Sequence, residues 1–105
     1  MNDNQRDNYQ VLETAWFNGV IKACDQIILR DHPALEPLKN PHATALLDRL
    51  AHLRWMLQES RDMFGREKVE RAFQWLGFVQ GFLSSAGLTT IQELQLIDIL
   101  GELPV

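Results

Sequence analysis

The sequence predicts an all-α protein, a compact bundle of about four helices. Apolar residues recur at three- and four-residue steps, the spacing of one helix face, and the segments do not alternate as half-buried strands do. Glycine and proline divide the chain into four such segments, and we expect helices at residues 8–30, 41–64, 66–86 and 90–100. The chain has 105 residues, of which 46% are hydrophobic, which suits one domain with one core. We therefore predict a single domain over residues 1–105, with residues 1–7 as a frayed tail.

The first helix is predicted from an apolar stripe. The helix should end at His32, because a residue that precedes proline is biased away from helical dihedrals and Pro33 has no N–H to donate. Further prolines follow at four-residue spacing, so we expect residues 32–40 to form a stiff, extended connector. The stripe consists of Leu12, Trp16, Val20, Cys24, Ile27 and Ile28.

The second helix has a start signal in Asn40 and Pro41. Asn40 is the expected N-cap, and Pro41 suits the first helical position, where a missing N–H costs nothing. The apolar seam of this helix is Leu46, Leu50, Leu53 and Leu57.

The third helix is apolar around most of its circumference. Such a helix is either central in its own domain or shared with a partner, because a solvent-facing helix normally keeps a polar face. One line of it holds Val69, Phe73, Leu76 and Leu83, and the other sides hold Trp75, Phe78, Val79 and Phe82.

The fourth helix is bounded by two turn signals. Gly87 is expected to close the third helix in a left-handed conformation, and Thr90 with Glu93 is a capping-box pattern. At about ten residues the helix is too short to be stable alone, so it must dock on the others.

Composition and charge exclude several classes of protein. The formal net charge is −4, with acidic residues in excess near both ends, which disfavours nucleic-acid binding. A single cysteine excludes an internal disulfide and favours a reducing compartment. The first ten residues lack the apolar stretch of a signal peptide, and no apolar run is long enough to span a bilayer. We expect a cytoplasmic protein without membrane contact.

Catalytic and metal-binding patterns are missing from the sequence. The three histidines are ten residues apart, which is not the spacing of zinc ligands on a helix. Cys24 lies on the predicted buried stripe, where a thiol is inert. Phosphate-binding glycine loops and nucleophile elbows are absent as well. We predict a protein that is not an enzyme, with no catalytic residue, no metal and no cofactor.

The residues around Gly77 and Gly81 are the most unusual part of the chain. Two glycines four apart inside a helix indicate a close approach by something else. We favour a crossing helix of the same chain, with Gly19 as its contact point, and the alternative is the seam of a homodimer. The surplus of aromatic residues still predicts a surface beyond one small core, and we expect the protein to be a homodimer that binds another protein. Its expected residues are Trp55, Arg54, Trp75, Phe78, Phe82, Gly77 and Gly81.

A second interpretation uses the bases in the middle of the chain. The turn at Gly87 invites a helix-turn-helix comparison, but residues 91–100 contain no arginine or lysine to contact phosphates. A nucleic-acid factor would instead use a basic stripe along residues 54–71. The phosphate contacts would then be Arg54, Arg61, Arg66, Lys68 and Arg71.

The second half of the chain resembles small helical accessory proteins of tailed phages and prophages. The similar segments are HLRWM at residues 52–56, ERAFQWLGFVQG at 70–81 and LTTIQEL at 88–94. In the related proteins an RWLGFVQG-like run occupies the middle segment, whereas Gln74 stands at the arginine position here. The resemblance covers about residues 50–95. It implies a viral protein without an assigned reaction, which acts in the bacterial cytoplasm by binding and modulating or inhibiting a host protein, for instance of a defence or nuclease system.

Overall fold

The chain folds into four α-helices, which confirms the predicted all-α class. The computed structural model describes the backbone of residues 3–105 and the side chains of residues 11–105, and it contains no strand in that part of the chain. The helices are α1 (Asp3–Asp31), α2 (Leu46–Gly65), α3 (Val69–Ser85) and α4 (Ile91–Leu100).

α1 begins earlier than predicted. It starts at Asp3 rather than at residue 8, so the backbone of residues 3–7 is helical, and residues 1–2 of the predicted tail lie outside the described part of the chain. The predicted stripe is buried only from Val20 onward. Leu12 is 65% exposed, and Trp16 is half-buried, with its ring 6.0 Å from Phe73 of α3.

The core lies where α1, α2 and α3 meet. The Phe17 ring stacks on Phe64 at the end of α2, with 4.3 Å between ring centroids. Further along α1, Asp25 forms an ion pair with Arg54, which lies earlier in α2. α1 and α2 are therefore antiparallel. The largest fully buried side chains are Phe17, Val20, Cys24, Ile27, Ile28, Leu50, Leu53, Leu57, Ser60, Val79, Leu83 and Ile97.

The predicted start of α2 is wrong by about five residues. Asn40 does not cap the helix and Pro41 is not its first residue; the N-cap is Ala45. The N–H of Leu38 donates to the Ala51 carbonyl at 3.1 Å, which ties the connector to the side of α2. The chain must then reverse direction before α2 can begin, and residues 41–45 are used for that reversal.

α2 and α3 are joined by a tight turn whose left-handed position is occupied by a residue other than glycine. The N–H of Lys68 donates to Met63 O at 2.8 Å and the N–H of Glu67 donates to Phe64 O at 3.2 Å, which is the Schellman pattern. Glu67 occupies the left-handed position with φ of +64°. Because residues 66–68 form this turn, α3 starts at Val69 and not at the predicted residue 66.

Replacing Glu67 with glycine is expected to stabilise the protein. A left-handed L-residue costs roughly 1–2 kcal/mol, and the added flexibility of glycine in the unfolded chain offsets part of that, leaving a gain of about 0.5–1 kcal/mol. Urea unfolding followed by circular dichroism measures it. Gly87→Ala is the mirror control and should lose about as much, since Gly87 has φ of +79°. An unchanged midpoint for Glu67→Gly would contradict the argument.

The predicted turn between α3 and α4 is confirmed. The N–H groups of Gly87 and Leu88 donate to Ser84 O and Leu83 O at 3.2 and 3.0 Å, a second Schellman turn with the left-handed position at Gly87. Thr90 Oγ1 accepts the N–H of Glu93 at 3.1 Å, so the predicted N-cap is present.

Arg30, near the end of α1, binds the start of α4. The Arg30 guanidinium donates to both carboxylate oxygens of Glu93 at 2.9 and 3.1 Å and to the Leu88 carbonyl at 3.1 Å. Hydrogen bonds from Arg30 and from Thr89 lower the pKa of Glu93. Because the end of α4 lies against Gly19, nearer the start of α1, the two helices are antiparallel.

The other end of α4 is docked through two glycines. A Cβ at Gly19 would lie 1.9 Å from the carbonyl oxygen of Gly101, so only glycine permits this approach. Gly101 has φ of +72° and ends α4. Beside this contact, Trp16 Nε1–H donates to the Asp98 carbonyl at 2.8 Å.

The predicted crossing of Gly19 against Gly77 and Gly81 is therefore wrong. A Cβ at either Gly77 or Gly81 would meet no atom within 4 Å. Both glycines are exposed, because the core-facing side of α3 is formed by other residues. These are Ala72, Leu76, Val79 and Leu83. Gly19 does mark a close approach, but its partner is Gly101.

Candidate functional site

Four of the residues predicted to form an interaction surface lie together on one side of α2 and α3. On α3, residues 75, 78 and 82 are spaced by three and four, which places their side chains along one edge of the helix. The Trp55 ring of α2 is 5.8 Å from the Trp75 ring, centroid to centroid. We call the side chains of Trp55, Trp75, Phe78 and Phe82 the aromatic face.

The exposure of the aromatic face is concentrated at Phe78. Its side chain is 59% exposed, whereas Trp55, Trp75 and Phe82 are half-buried against the core. An exposed phenylalanine next to half-buried aromatic side chains on the same helix edge is typical of a protein-binding surface, because the half-buried side chains need little further ordering when a partner covers them.

His52 connects the aromatic face to the connector. Its ring stacks on Trp55 at 5.3 Å, and its Nδ1 accepts the backbone N–H of Asn40 at 2.9 Å. Burial lowers the pKa of His52, and the nearby Lys39 ammonium lowers it further. Because Nδ1 is an acceptor, the neutral ring carries its proton on Nε2, which leaves one donor for a ligand.

The connector continues through residues 41–45 to the start of α2, and a groove of about 320 Å³ opens between it, α2 and Phe78 and Phe82 of the aromatic face. The N–H of Ala43 donates to Asn40 O at 3.1 Å, and Arg49 Nε donates to Ala43 O at 3.2 Å, so the connector wall is held by its own bonds and by α2. The groove is lined by Asn40, Pro41, Ala43, Arg49, His52, Leu53, Phe78 and Phe82.

Six of these lining residues were not predicted as site residues. The proline spacing indicated a stiff connector at residues 32–40, but Asn40 and Pro41 were assigned to a helix start. The missed signal is the length of the segment between Pro33 and Leu46. It is long enough for the connector to pack along the side of α2. The remaining missed residues are Ala43, Arg49, His52 and Leu53, the last of which was assigned to the apolar seam of α2.

Arg54 lies on the α1 side of α2, apart from the groove. Its guanidinium donates to both carboxylate oxygens of Asp25, at 2.6 and 2.8 Å, and to the Leu35 carbonyl. The hydrogen bond with Asp25 raises the pKa of Arg54. The side chain is 15% exposed, so this arginine clamps α2 to α1 and to the connector.

The other predicted phosphate contacts are divided between two places. Arg61 lines a cleft of about 310 Å³ between α1 and α2 together with Lys22 and with the Arg54–Asp25 pair, whereas Arg66, Lys68 and Arg71 lie at the α2–α3 turn. With Arg54 engaged by Asp25, the five residues do not form one free stripe. Phosphate binding stays a prediction, and nothing in this arrangement favours it.

α4 presents a second exposed apolar surface. Ile91, Leu96, Ile99 and Leu100 are each about half to three quarters exposed, at 63%, 46%, 76% and 53%. The residues between them on this side are Gln92 and Gln95, so the surface carries no charge. It is separate from the aromatic face, so a substitution on it is a suitable control for substitutions on the aromatic face.

Neither a reactive thiol nor a metal site is found among the described residues. Cys24 is buried as predicted, and burial raises the pKa of its thiol to about 12, so that it does not ionise near neutral pH. Among the residues described, no three or more His, Cys, Asp or Glu side chains cluster in a way that could hold a metal ion. None of the helices, over the range described, is long and apolar enough to cross a membrane.

Comparisons with known proteins leave the groove without an assignment. No protein-family model, no curated protein and no solved structure matches the chain.

Proposed function

We propose that this chain is a non-enzymatic interaction protein that binds a protein partner with its aromatic face and the adjoining groove. The observation that carries the proposal is Phe78, 59% exposed beside three anchored aromatic rings at the edge of a groove. Aromatic side chains in such settings supply much of the energy of protein binding, because burying each removes a large apolar area from water.

The chemistry of the groove supports binding rather than catalysis. Among its lining residues, His52 is the group that could act as a base near neutral pH, and its Nδ1 is already hydrogen-bonded to Asn40. No serine, cysteine or carboxylate lies among the described lining residues to serve as a nucleophile or an acid. An apolar floor with the N–H donors of His52 and Arg49 at its edge is typical of a protein-binding groove.

The resemblance to phage-encoded accessory proteins indicates which partner to test first. In the proposal the chain acts in the cytoplasm of a bacterial host and modulates or inhibits a host protein, for instance of a defence or nuclease system. A second copy of the chain is the other candidate occupant, because the same aromatic face would serve a homodimer.

The experiment is a pull-down from bacterial lysate with the tagged chain and its Phe78→Ala variant, read by mass spectrometry. Phe78 is largely exposed, so its truncation should change the free energy of unfolding by about 0.5 kcal/mol or less. Loss of a central aromatic contact should weaken capture by about tenfold or more. The matched control is Ile99→Ala on α4, which removes an even more exposed apolar side chain, 76% against 59%, from another surface.

The outcomes separate the alternatives. A host protein captured by the wild type and by Ile99→Ala, but not by Phe78→Ala, supports the proposal. Size-exclusion chromatography of the same proteins tests the second copy, because a dimer that becomes a monomer only in Phe78→Ala assigns the face to self-association. Capture that is indifferent to Phe78, or no capture and no dimer with a folded bait, contradicts the proposed function.

A further inference from the structure

The charge around the groove differs from the charge of the rest of the protein. The chain as a whole is acidic, with 14 carboxylates against 10 lysines and arginines. Among the described residues that line the groove no aspartate or glutamate occurs, whereas Arg49 and His52 do. Lys39 is close by, with its ammonium 5.2 Å from the centre of the Trp55 ring.

The cations at the rim are held in place by the fold and remain available. Arg49 donates its Nε–H to the Ala43 carbonyl, which fixes the guanidinium at the groove edge and leaves its terminal N–H groups free of protein acceptors among the described residues. Lys39 makes no ion pair within the same range. Among the described residues, the groove thus has one cation without an ion pair in its lining, Arg49, a second beside it, Lys39, and the Nε2–H donor of His52.

The size of the groove limits what enters it. A volume of about 320 Å³ is at the lower end of the range for ligand sites, roughly 300–1,000 Å³. It has room for one or two apolar side chains, with Leu53 beneath and Phe78 and Phe82 beside them. A whole helix does not fit, so the rest of any bound segment must run along the rim.

We propose, building on the function proposed above, that the groove receives an acidic protein segment in which an apolar anchor residue is flanked by carboxylates. The anchor is buried against Phe78 and Phe82, and the carboxylates pair with Arg49, Lys39 and the Nε2–H of His52. Opposite charges across a rim increase the rate of association and select against basic competitors. The chain's own net charge of −4 does not favour acidic segments, so their attraction to the groove depends on these local cations.

A random peptide library selected on the full chain tests this inference. The library is counter-selected on Phe78→Ala, so that only peptides that need the aromatic face are kept. We expect the retained peptides to share a large apolar residue with aspartate or glutamate beside it. Retained peptides that are neutral or basic would overturn the acidic partner and leave the proposed function intact.

Affinities of one retained peptide then test the named cations. The double variant Lys39→Gln with Arg49→Gln should bind about tenfold more weakly, while Arg49→Lys, which keeps the charge, should retain most of the affinity. The control is Arg66→Gln with Arg71→Gln at the α2–α3 turn, which changes the net charge equally and should leave the affinity unchanged. Equal losses in both double variants would reduce the effect to overall charge and overturn the inference.

Absence of any Phe78-dependent peptide also overturns the inference. In that case the lysate pull-down decides separately whether the aromatic face binds a folded protein. The failure of the acidic segment and the failure of the proposed function are therefore distinguishable.

Discussion

Replacing Gly19 with alanine should destabilise the protein by about 3 kcal/mol, even though alanine is the better helix former. The new methyl group would lie 1.9 Å from the Gly101 carbonyl oxygen, a backbone atom that cannot rotate away. Relief requires the end of α4 to move off α1. That movement would also break the hydrogen bond from Trp16 to the Asp98 carbonyl.

The measurement is urea unfolding followed by circular dichroism, with two matched controls. Gly77→Ala and Gly81→Ala make the same change inside α3, where a Cβ meets no atom within 4 Å, so each should stabilise the protein by up to about 1 kcal/mol. Amide hydrogen exchange locates the damage, which should appear first as lost protection in α4. Similar values for Gly19→Ala and Gly77→Ala would contradict the docking of α4 described above.

Replacing Arg54 with alanine is expected to cost about 2–3 kcal/mol. Removing one partner of a buried ion pair leaves the other charge without compensation, at roughly 3–5 kcal/mol, and partial exposure of Asp25 reduces that figure. The change also leaves the Leu35 carbonyl without its donor. Arg54→Lys should recover less than half, because an ammonium cannot bond both carboxylate oxygens and the carbonyl in the same geometry.

The control for Arg54 is Arg61→Ala on the same helix. Arg61 is exposed, so its loss should change the free energy of unfolding by about 0.5 kcal/mol or less. A double-mutant cycle with Asp25→Ala isolates the pair, since the coupling should account for most of the Arg54 effect. Additive effects of the two substitutions would mean that the pair contributes little. Because Arg54 stabilises the fold, reduced partner binding by an Arg54 variant is interpretable only when the fraction of folded protein is measured as well.

Local signals in the sequence predicted the helices well where both ends of an element carry them. Gly87 and Thr90 placed the α3–α4 turn correctly, because a left-handed glycine and an N-cap act within a few residues. The start of α2 was misplaced for the opposite reason. Asn40 and Pro41 are good helix-start residues, but long-range bonds to Ala51 and His52 hold that segment against α2.

The aromatic residues of the candidate site were predictable in the same way. The spacing of residues 75, 78 and 82 on one helix already placed their side chains on one edge, and the structure brings Trp55 to them. The wall of the groove was not predictable, because it depends on where a proline-containing connector packs.

The sequence by itself therefore determined the all-α class, the four helices, the burial of Cys24 and the excess of aromatic residues on α3. Each follows from periodicity or from short-range turn chemistry, which act within a helix or a turn. Only the tertiary structure decided that Gly19 meets Gly101, that Arg54 is committed to Asp25, and that the connector forms one wall of the groove. These contacts join residues that are far apart in the chain, and they depend on how the helices pack, which no local pattern records.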